Sequence, residues 1–472
     1  MTAPYICNEN NLSLPNNLKS APKKKLQPKR RSAASFRLSR MPAIHKRASL
    51  AQYTREIPVA NIKELTLPNG FRIVSERIAG APSVAVGVWV DVGSRDEATT
   101  EYGTAHFIEH VVFKETERYS MKEIMNSIES RGGMLNAFTT KEHTCFYTWN
   151  RVPYLEDAVS VLSDLVLRPA ITESAVKREK DVIIEEIHGL DDEPDELVFD
   201  LFEETLFKSS GLAHPVIGTV DSVSGATKRS LRSFHERHYI PENITLVASG
   251  SQSHNDLFTF AKKYFADIPA RKSDYQREII QQKILKGKRV KDTREGIGQA
   301  HIIIGRLAPG MNSSKEQELS LLITLLGVGM SSRLNLRLRE ELALAYETSA
   351  FHAPFAETGA VGLYAAVTEE NAKKTEAEMK RIVRGLFTKP ITEQEIERTK
   401  EQVIGSLILG LESMTSRMMR AGQHISYYHT YQELAAEIKE IQQVSRRSIL
   451  DLAEELFGDE TLLSVVSIAS HS

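Results

Sequence analysis

The sequence has little cysteine, little net charge and no long apolar run. Two cysteines, Cys7 and Cys145, are too few for a disulfide framework or a cysteine-rich metal site, and they favour a reducing compartment. No apolar run is long enough to cross a bilayer, so no membrane span is expected. The 60 basic and 62 acidic side chains give a net charge of -2, which argues against a nucleic-acid partner.

Acidic side chains are also scarce at the start of the chain, where a basic stretch to about Arg55 contains Glu9 as its single acid. Such a composition cannot bury enough apolar surface to fold alone, so residues 1–58 are predicted to form a disordered basic tail. A transit peptide, a tail that contacts anionic surfaces and a true start at Met41 are the alternatives. Because the pattern makes a poor transit peptide, the expected location is a bacterial cytoplasm, with the mitochondrial matrix as the alternative.

Beyond the tail, the pattern of strands and helices occurs twice, in two stretches of roughly 200 residues each. Each stretch has the order strand, helix, two strands, helices and strand, which predicts an α+β fold built from one duplicated unit. A polar segment at 269–294 is predicted to link residues 59–275, the N-terminal half, to residues 276–472, the C-terminal half. No helix is predicted between Leu411 and Tyr431.

The most informative motif is His106-Phe-Ile-Glu-His110 at the start of an amphipathic helix. The two histidines are four residues apart, so they project from one helix face and can bind one zinc ion. Glu109 lies beside them and can take a proton from a zinc-activated water. This His-x-x-Glu-His order is a known zinc peptidase pattern. The alternative is a pair of ordinary surface or core histidines, and the second half contains no such motif.

A third ligand is sought in the glutamate-rich helix around 177–188. Glu179 and Glu186 are seven residues apart and share one helix face, whereas Glu185 projects about 100° away from Glu186. With Glu186 directed at the histidines, a His-His-Glu site would leave the fourth position open for water, as in catalytic zinc sites. Glu179 could then orient a histidine. A solvated helix face is the alternative.

With these residues in place, the chain from about Asn61 onward resembles the pitrilysin-type zinc peptidases with the insulinase-like fold. It is most similar to the processing-peptidase type and its bacterial homologues. The family's third ligand lies about 76 residues beyond the second histidine, where Glu186 stands. The matching pieces are 93–97, 103–110, 135–139, 178–186, 329–334 and 339–346. The glycine-rich loop of the non-catalytic processing subunit is missing.

The resemblance implies that His106, His110 and Glu186 hold one Zn²⁺ per chain and that Glu109 is the general base. Glu179 would be a supporting acid. Two departures from the family pattern, Lys114-Glu-Thr116 and Val328, are not expected to touch a ligand.

The resemblance also implies a peptide-binding edge strand with Asn136, Ala137 and Phe138, to which an extended peptide adds as a further strand. Arg339 and Tyr346 in the second half resemble the pair that reaches the substrate backbone near the zinc. Without the family, they would be a helix-surface arginine and a packed tyrosine. The two halves, each an antiparallel sheet with helices packed on it, would close as a clamshell.

These implications predict a zinc-dependent endopeptidase that hydrolyses short or unfolded peptides, with Tyr346 donating to the developing oxyanion. The alternative is a non-catalytic or partner-dependent structural subunit of the same fold. The expected partners are a peptide substrate and a second subunit, in a homodimer or a heterodimer with a related chain.

Overall fold

The computed structural model describes residues 61–280, 286–389 and 391–470, so the predicted tail lies outside the described residues. Two sheets, each with helices, account for the described chain. The predicted α+β class and its division into two similar halves are thereby confirmed. No described helix is long and apolar enough to cross a membrane.

The first sheet has six strands in the order β1-β2-β6-β3-β5-β4. β3, which is apolar along most of its length, lies in the interior of this sheet and is almost wholly buried. β2 and β6 run parallel, and all the other neighbours are antiparallel. The strands are β1 (Asn61–Thr66), β2 (Arg72–Arg77), β3 (Ser83–Val90), β4 (Met134–Thr139), β5 (Thr144–Arg151) and β6 (Ile244–Gly250).

The second sheet has five strands in the order β7-β11-β8-β10-β9. Its one parallel pair, β7 with β11, occupies the place that β2 and β6 have in the first sheet. The two sheets therefore share one strand order over five strands, and β1 has no counterpart among the described residues of the second half. The strands are β7 (Arg289–Arg294), β8 (Ala300–Pro309), β9 (Ala345–Pro354), β10 (Thr358–Val367) and β11 (Ser464–Ser470).

Helices pack on both sheets. In the first half they are α1 (Thr104–Val112), α2 (Met121–Glu129), α3 (Leu155–Leu167), α4 (Glu173–Asp191), α5 (Pro194–Phe207), α6 (Val220–Gly225), α7 (Lys228–His238) and α8 (His254–Phe265). In the second half they are α9 (Glu316–Gly327), α10 (Ala372–Thr388), α11 (Glu393–Gly410), α12 (Met414–Tyr428), α13 (Leu434–Gln443) and α14 (Arg446–Phe457). A π-helical segment, Asn335–Glu341, precedes β9.

The halves exchange one helix each. Helix α5 of the first half packs on β8 and β11 of the second sheet, and α12 of the second half packs on β3 and β6 of the first. A buried ion pair between Arg417 on α12 and Glu76 on β2, with 2.9 Å between Nη1 and Oε1, fixes this packing. Neither half can therefore bury its sheet without the other.

Two sequence expectations were wrong. The predicted linker at 269–294 contains strand β7, which is polar because it lies at the edge of the second sheet. Helix α12 was not predicted, because its buried face includes Arg417 and Gly422 beside apolar residues. Both elements are held in position by a sheet whose strands come from distant parts of the chain.

Candidate metal centre

Helix α1 begins at a glycine that no other residue could replace without strain. Gly103 has φ 85° and a Cβ there would lie 2.5 Å from the carbonyl oxygen of Ile217. The buried carboxylate of Glu97 accepts hydrogen bonds from the N–H groups of Gly103 and Ala105, at 2.8 and 2.7 Å. These are free N–H groups of the first turn, so Glu97 caps α1 and fixes its starting point.

The apolar residues of α1 hold the helix against the core and leave its polar side chains partly exposed. Its buried residues include Phe107, Ile108 and Val111. His106 and His110 project from another face, with 4.6 Å between the centroids of their rings. The helix therefore presents both imidazoles to the same space, as their four-residue spacing predicts.

Helix α4 packs against α1 and brings two carboxylates to His110. An oxygen of Glu179 lies 3.4 Å from Nδ1 of His110, and an oxygen of Glu186 lies 3.6 Å from Nε2. The N-cap Thr172, whose hydroxyl accepts from the Ala175 N–H, starts the helix. Glu179 and Glu186 are separated by two helical turns, and their carboxylates approach different nitrogens of the same imidazole ring.

One ligand atom from each of His106, His110 and Glu186 lies within 4.8 Å of the others. Partial burial, with a smaller contribution from the neighbouring His110, lowers the pKa of His106 to about 3. His106 is therefore neutral at pH 7, which is the form that binds metals. Two imidazoles and a carboxylate are a donor set typical of catalytic zinc, so these side chains fit that ion.

Glu109 lies next to this group and is held by a neighbouring strand. Burial raises its pKa to about 7, and the charge of Glu186 adds to this, whereas a hydrogen bond from Thr139 opposes it. The hydroxyl of Thr139 donates to a carboxylate oxygen of Glu109 at 2.5 Å. A carboxylate with a fixed orientation and a pKa near neutrality suits proton transfer.

The residues predicted to bind substrate, Asn136, Ala137 and Phe138, lie on β4, which is an edge strand of the first sheet. Ala137 packs against the core on the α1 side, whereas Asn136 is exposed. Phe138 is partly buried and contacts Trp89 edge-on, with 5.7 Å between the ring centroids. The same strand ends at Thr139, so it runs directly to Glu109.

Arg339 and Tyr346 lie together in the second half. The guanidinium carbon of Arg339 is 5.7 Å from the centroid of the Tyr346 ring, and Tyr346 is 77% exposed at the start of β9. This contact joins the two residues to each other. Their predicted role near the metal therefore stays a prediction.

Three contacts of this centre were not foreseen. Thr139 and Glu97 belong to the matching pieces 135–139 and 93–97, but the sequence predicts no role for them. Strand alternation could have identified Thr139, because it shares a sheet face with Ala137. Lys114 forms an ion pair of 3.0 Å with Glu179, so it lies beside the metal centre.

Curated relatives resemble this chain over most of their length. An uncharacterized zinc protease of Mycobacterium leprae is 36% identical over 401 residues, which cover 84% of this chain and 90% of the relative. The uncharacterized zinc protease YmxG of Bacillus subtilis is 32% identical over 406 residues, which cover 86% of this chain and 98% of the relative.

Solved structures share the fold. A protease from Helicobacter pylori matches with a TM-score of 0.83 at 21% identity, covering 87% of this chain and all of that one. A protein from Pseudomonas fluorescens described as a peptidase M16 inactive domain matches with a TM-score of 0.81 at 16% identity, covering 87% of this chain and 98% of that one.

Two family models match consecutive parts of the sequence. The model for the insulinase family, peptidase family M16, matches residues 72–220, which include the candidate metal centre. The model for the peptidase M16 inactive domain matches residues 225–403. With these two matches and with relatives above 30% identity over most of their length, the chain belongs to peptidase family M16, the insulinase family.

Proposed function

We propose that this protein is a zinc-dependent endopeptidase that hydrolyses short or unfolded peptides. The observation that carries the proposal is the grouping of His106, His110 and Glu186 beside Glu109. His106, His110 and Glu186 would hold the ion, one per chain. When bound, zinc supplies Lewis acidity toward a peptide carbonyl and toward water.

The remaining chemistry belongs to the side chains of the protein. Glu109 accepts the proton of the attacking water and later delivers it to the leaving amine. Thr139 orients Glu109 through its 2.5 Å hydrogen bond, and Glu179 orients the His110 ring from its Nδ1 side. Lys114 in turn holds Glu179.

The substrate would be an extended peptide that pairs with β4, because this strand has a neighbour on one side, β5, and carries Thr139 at its end. Backbone hydrogen bonds to an edge strand accept any sequence, provided that the peptide is unfolded. Arg339 and Tyr346 would contact the peptide from the second half, with Tyr346 donating to the oxyanion.

The test compares the wild type with Glu109→Gln for zinc content and for cleavage of a set of quenched peptides. We expect both proteins to bind one zinc per chain, and the variant to cleave about 10²–10⁴-fold more slowly, because general acid–base catalysis is lost. Glu185→Gln, on the neighbouring face of α4, is the matched control and keeps its activity.

Two results would contradict the proposal. A wild-type protein without zinc would favour a structural subunit of this fold. Zinc in both proteins without cleavage in either would favour an enzyme that depends on a separate partner subunit, and only added partner would then restore activity.

A further inference from the structure

Within the described residues, strand β4 is the outer strand of its sheet, and its two faces differ. Its pairing with β5 places Met134 opposite Trp149, Asn136 opposite Tyr147 and Phe138 opposite Cys145. These residues share one face of the sheet, because alternate side chains of a strand point to the same side. Leu135, Ala137 and Thr139 point to the opposite face, toward α1.

The first face becomes more exposed with distance from the metal centre. Phe138 is partly buried under α12, whereas Met134 is 42% exposed and Trp149 is 46% exposed. Directly opposite residues in antiparallel strands have Cβ atoms about 4.5–5.5 Å apart, so these two side chains form one apolar patch. Native proteins commonly protect an edge strand with charged side chains, prolines, bulges or a covering element. An apolar patch at an open edge therefore needs an explanation.

The indole of Trp149 is fixed in place. Its N–H donates to the hydroxyl of Ser83 at 2.9 Å, so the polar atom of the ring is satisfied within the sheet. What remains available is the flat apolar surface of the ring, next to the flexible thioether of Met134. A rigid aromatic ring beside an adaptable side chain suits apolar groups of several shapes.

We propose that Met134 and Trp149 form a binding subsite for one apolar side chain of the extended peptide. This inference rests on the proposed function, because the peptide must pair with β4. Along a strand with about 3.3 Å per residue, Met134 lies about 17 Å from Thr139. The residue in the subsite is therefore about five positions from the residue beside Thr139, and it is leucine, methionine or an aromatic residue.

The peptide is favoured over a second copy of this chain as the occupant of the patch. The patch and the Thr139–Glu109 contact lie at opposite ends of one strand, so one extended segment paired with β4 reaches both. Only side chains at alternate positions of such a segment face the patch. The subsite thus selects a side chain at a defined distance from the scissile bond.

The first experiment uses tryptophan fluorescence and does not depend on catalysis. The protein has two tryptophans, and Trp89 is 3% exposed, so Trp149 is the one that a peptide reaches. Zinc-loaded Glu109→Gln is titrated with serine- and alanine-based 12-residue peptides in which a single leucine moves along the sequence. We expect a blue shift for one leucine position or for two alternate ones, and no shift in Glu109→Gln/Trp149→Phe.

The second experiment measures kcat/KM for peptides with leucine or serine at each position. We expect the wild type to prefer leucine by about tenfold at a position four to six residues from the cleaved bond. Met134→Ser and Trp149→Ser should lower this ratio to about one. Met121→Ser is the matched control, because Met121 is 45% exposed on α2 and lies outside the strand, and it keeps the preference.

The two readouts separate the failure of this inference from that of the proposed function. If the wild type cleaves but Trp149→Ser keeps the full leucine preference, the subsite is wrong and the peptidase stands. If nothing is cleaved, the fluorescence titration still decides the subsite, and the absence of a shift with every peptide overturns it. A dimer that Met134→Lys dissociates would assign the patch to contacts between two copies and would also overturn it.

Discussion

The two halves of this protein share a scaffold and differ in its chemistry. In both sheets the strands follow one order, and one parallel pair stands at the same place. Helix α1 and helix α9 are the first long helices after the corresponding strands β3 and β8, and each packs against an edge strand, β4 or β9. Yet α1 carries His106, Glu109 and His110, whereas α9 is leucine-rich and largely buried.

The duplicated scaffold therefore does not by itself supply a metal site. The second sheet keeps its edge strand and helix, but the helix contributes leucines to a core. The proposed site of the first half combines three candidate ligand side chains, a candidate base and the strand residue Thr139. Function in this fold therefore lies in a few side chains placed on a shared framework.

The largest effect is expected when α1 is given the apolar character of α9. His110→Leu removes a proposed ligand whose side chain is 22% exposed, so the fold should tolerate it. We expect zinc content to fall from one ion per chain to none and peptide cleavage to fall to background, as metal analysis and a quenched-peptide assay would measure. His188→Leu, at an exposed position of α4, is the control and keeps both. Full zinc in His110→Leu would contradict the assignment.

A second prediction concerns the contact between the edge strand and α1. Thr139→Val keeps the shape of the side chain but removes the donor to Glu109. A hydrogen bond to a charged group contributes about 1.5–3 kcal/mol, so we expect kcat to fall about 10- to 100-fold while zinc content is unchanged. Thr139→Ser retains the hydroxyl and should stay near wild type. Equal rates for the two variants would show that Thr139 does not orient the base.

A third prediction concerns how much the packing of an exchanged helix contributes to stability. A Cβ at Gly422 on α12 would lie 2.1 Å from the Trp89 ring of the first sheet, so Gly422→Ala should lower the free energy of unfolding by about 1–3 kcal/mol. Gly405 on α11 has open space around it, so Gly405→Ala should raise the free energy of unfolding by about 1 kcal/mol.

Urea unfolding of the two glycine variants measures both effects. If Gly422→Ala were as stable as Gly405→Ala, α12 would not be tightly packed on β3. The mutual dependence of the two halves would then be weaker than their exchanged helices indicate.

Much of the architecture could be predicted from sequence because the elements have clear local patterns. The Pro68-Asn69-Gly70 turn between β1 and β2, the apolar run of β3 and the helical spacing of α3 all predict the observed elements. Helix α12 was not predicted, because its buried positions include two residues that are unusual in a helix core. These are Arg417, which pairs with Glu76, and Gly422, which makes room for Trp89. Arginine and glycine at these two positions are explained only by their contacts with the sheet of the other half.

Helical periodicity is enough to place His106 and His110 on one helix face with Glu109 beside them, because all three residues belong to one helix. It also places Glu179 and Glu186 on one face of α4. Three contacts arise from tertiary packing alone: α4 packs with this face toward α1, Thr139 reaches Glu109, and α12 covers the first sheet. These contacts join residues far apart in the chain. They depend on the packing of whole elements, which no local pattern encodes.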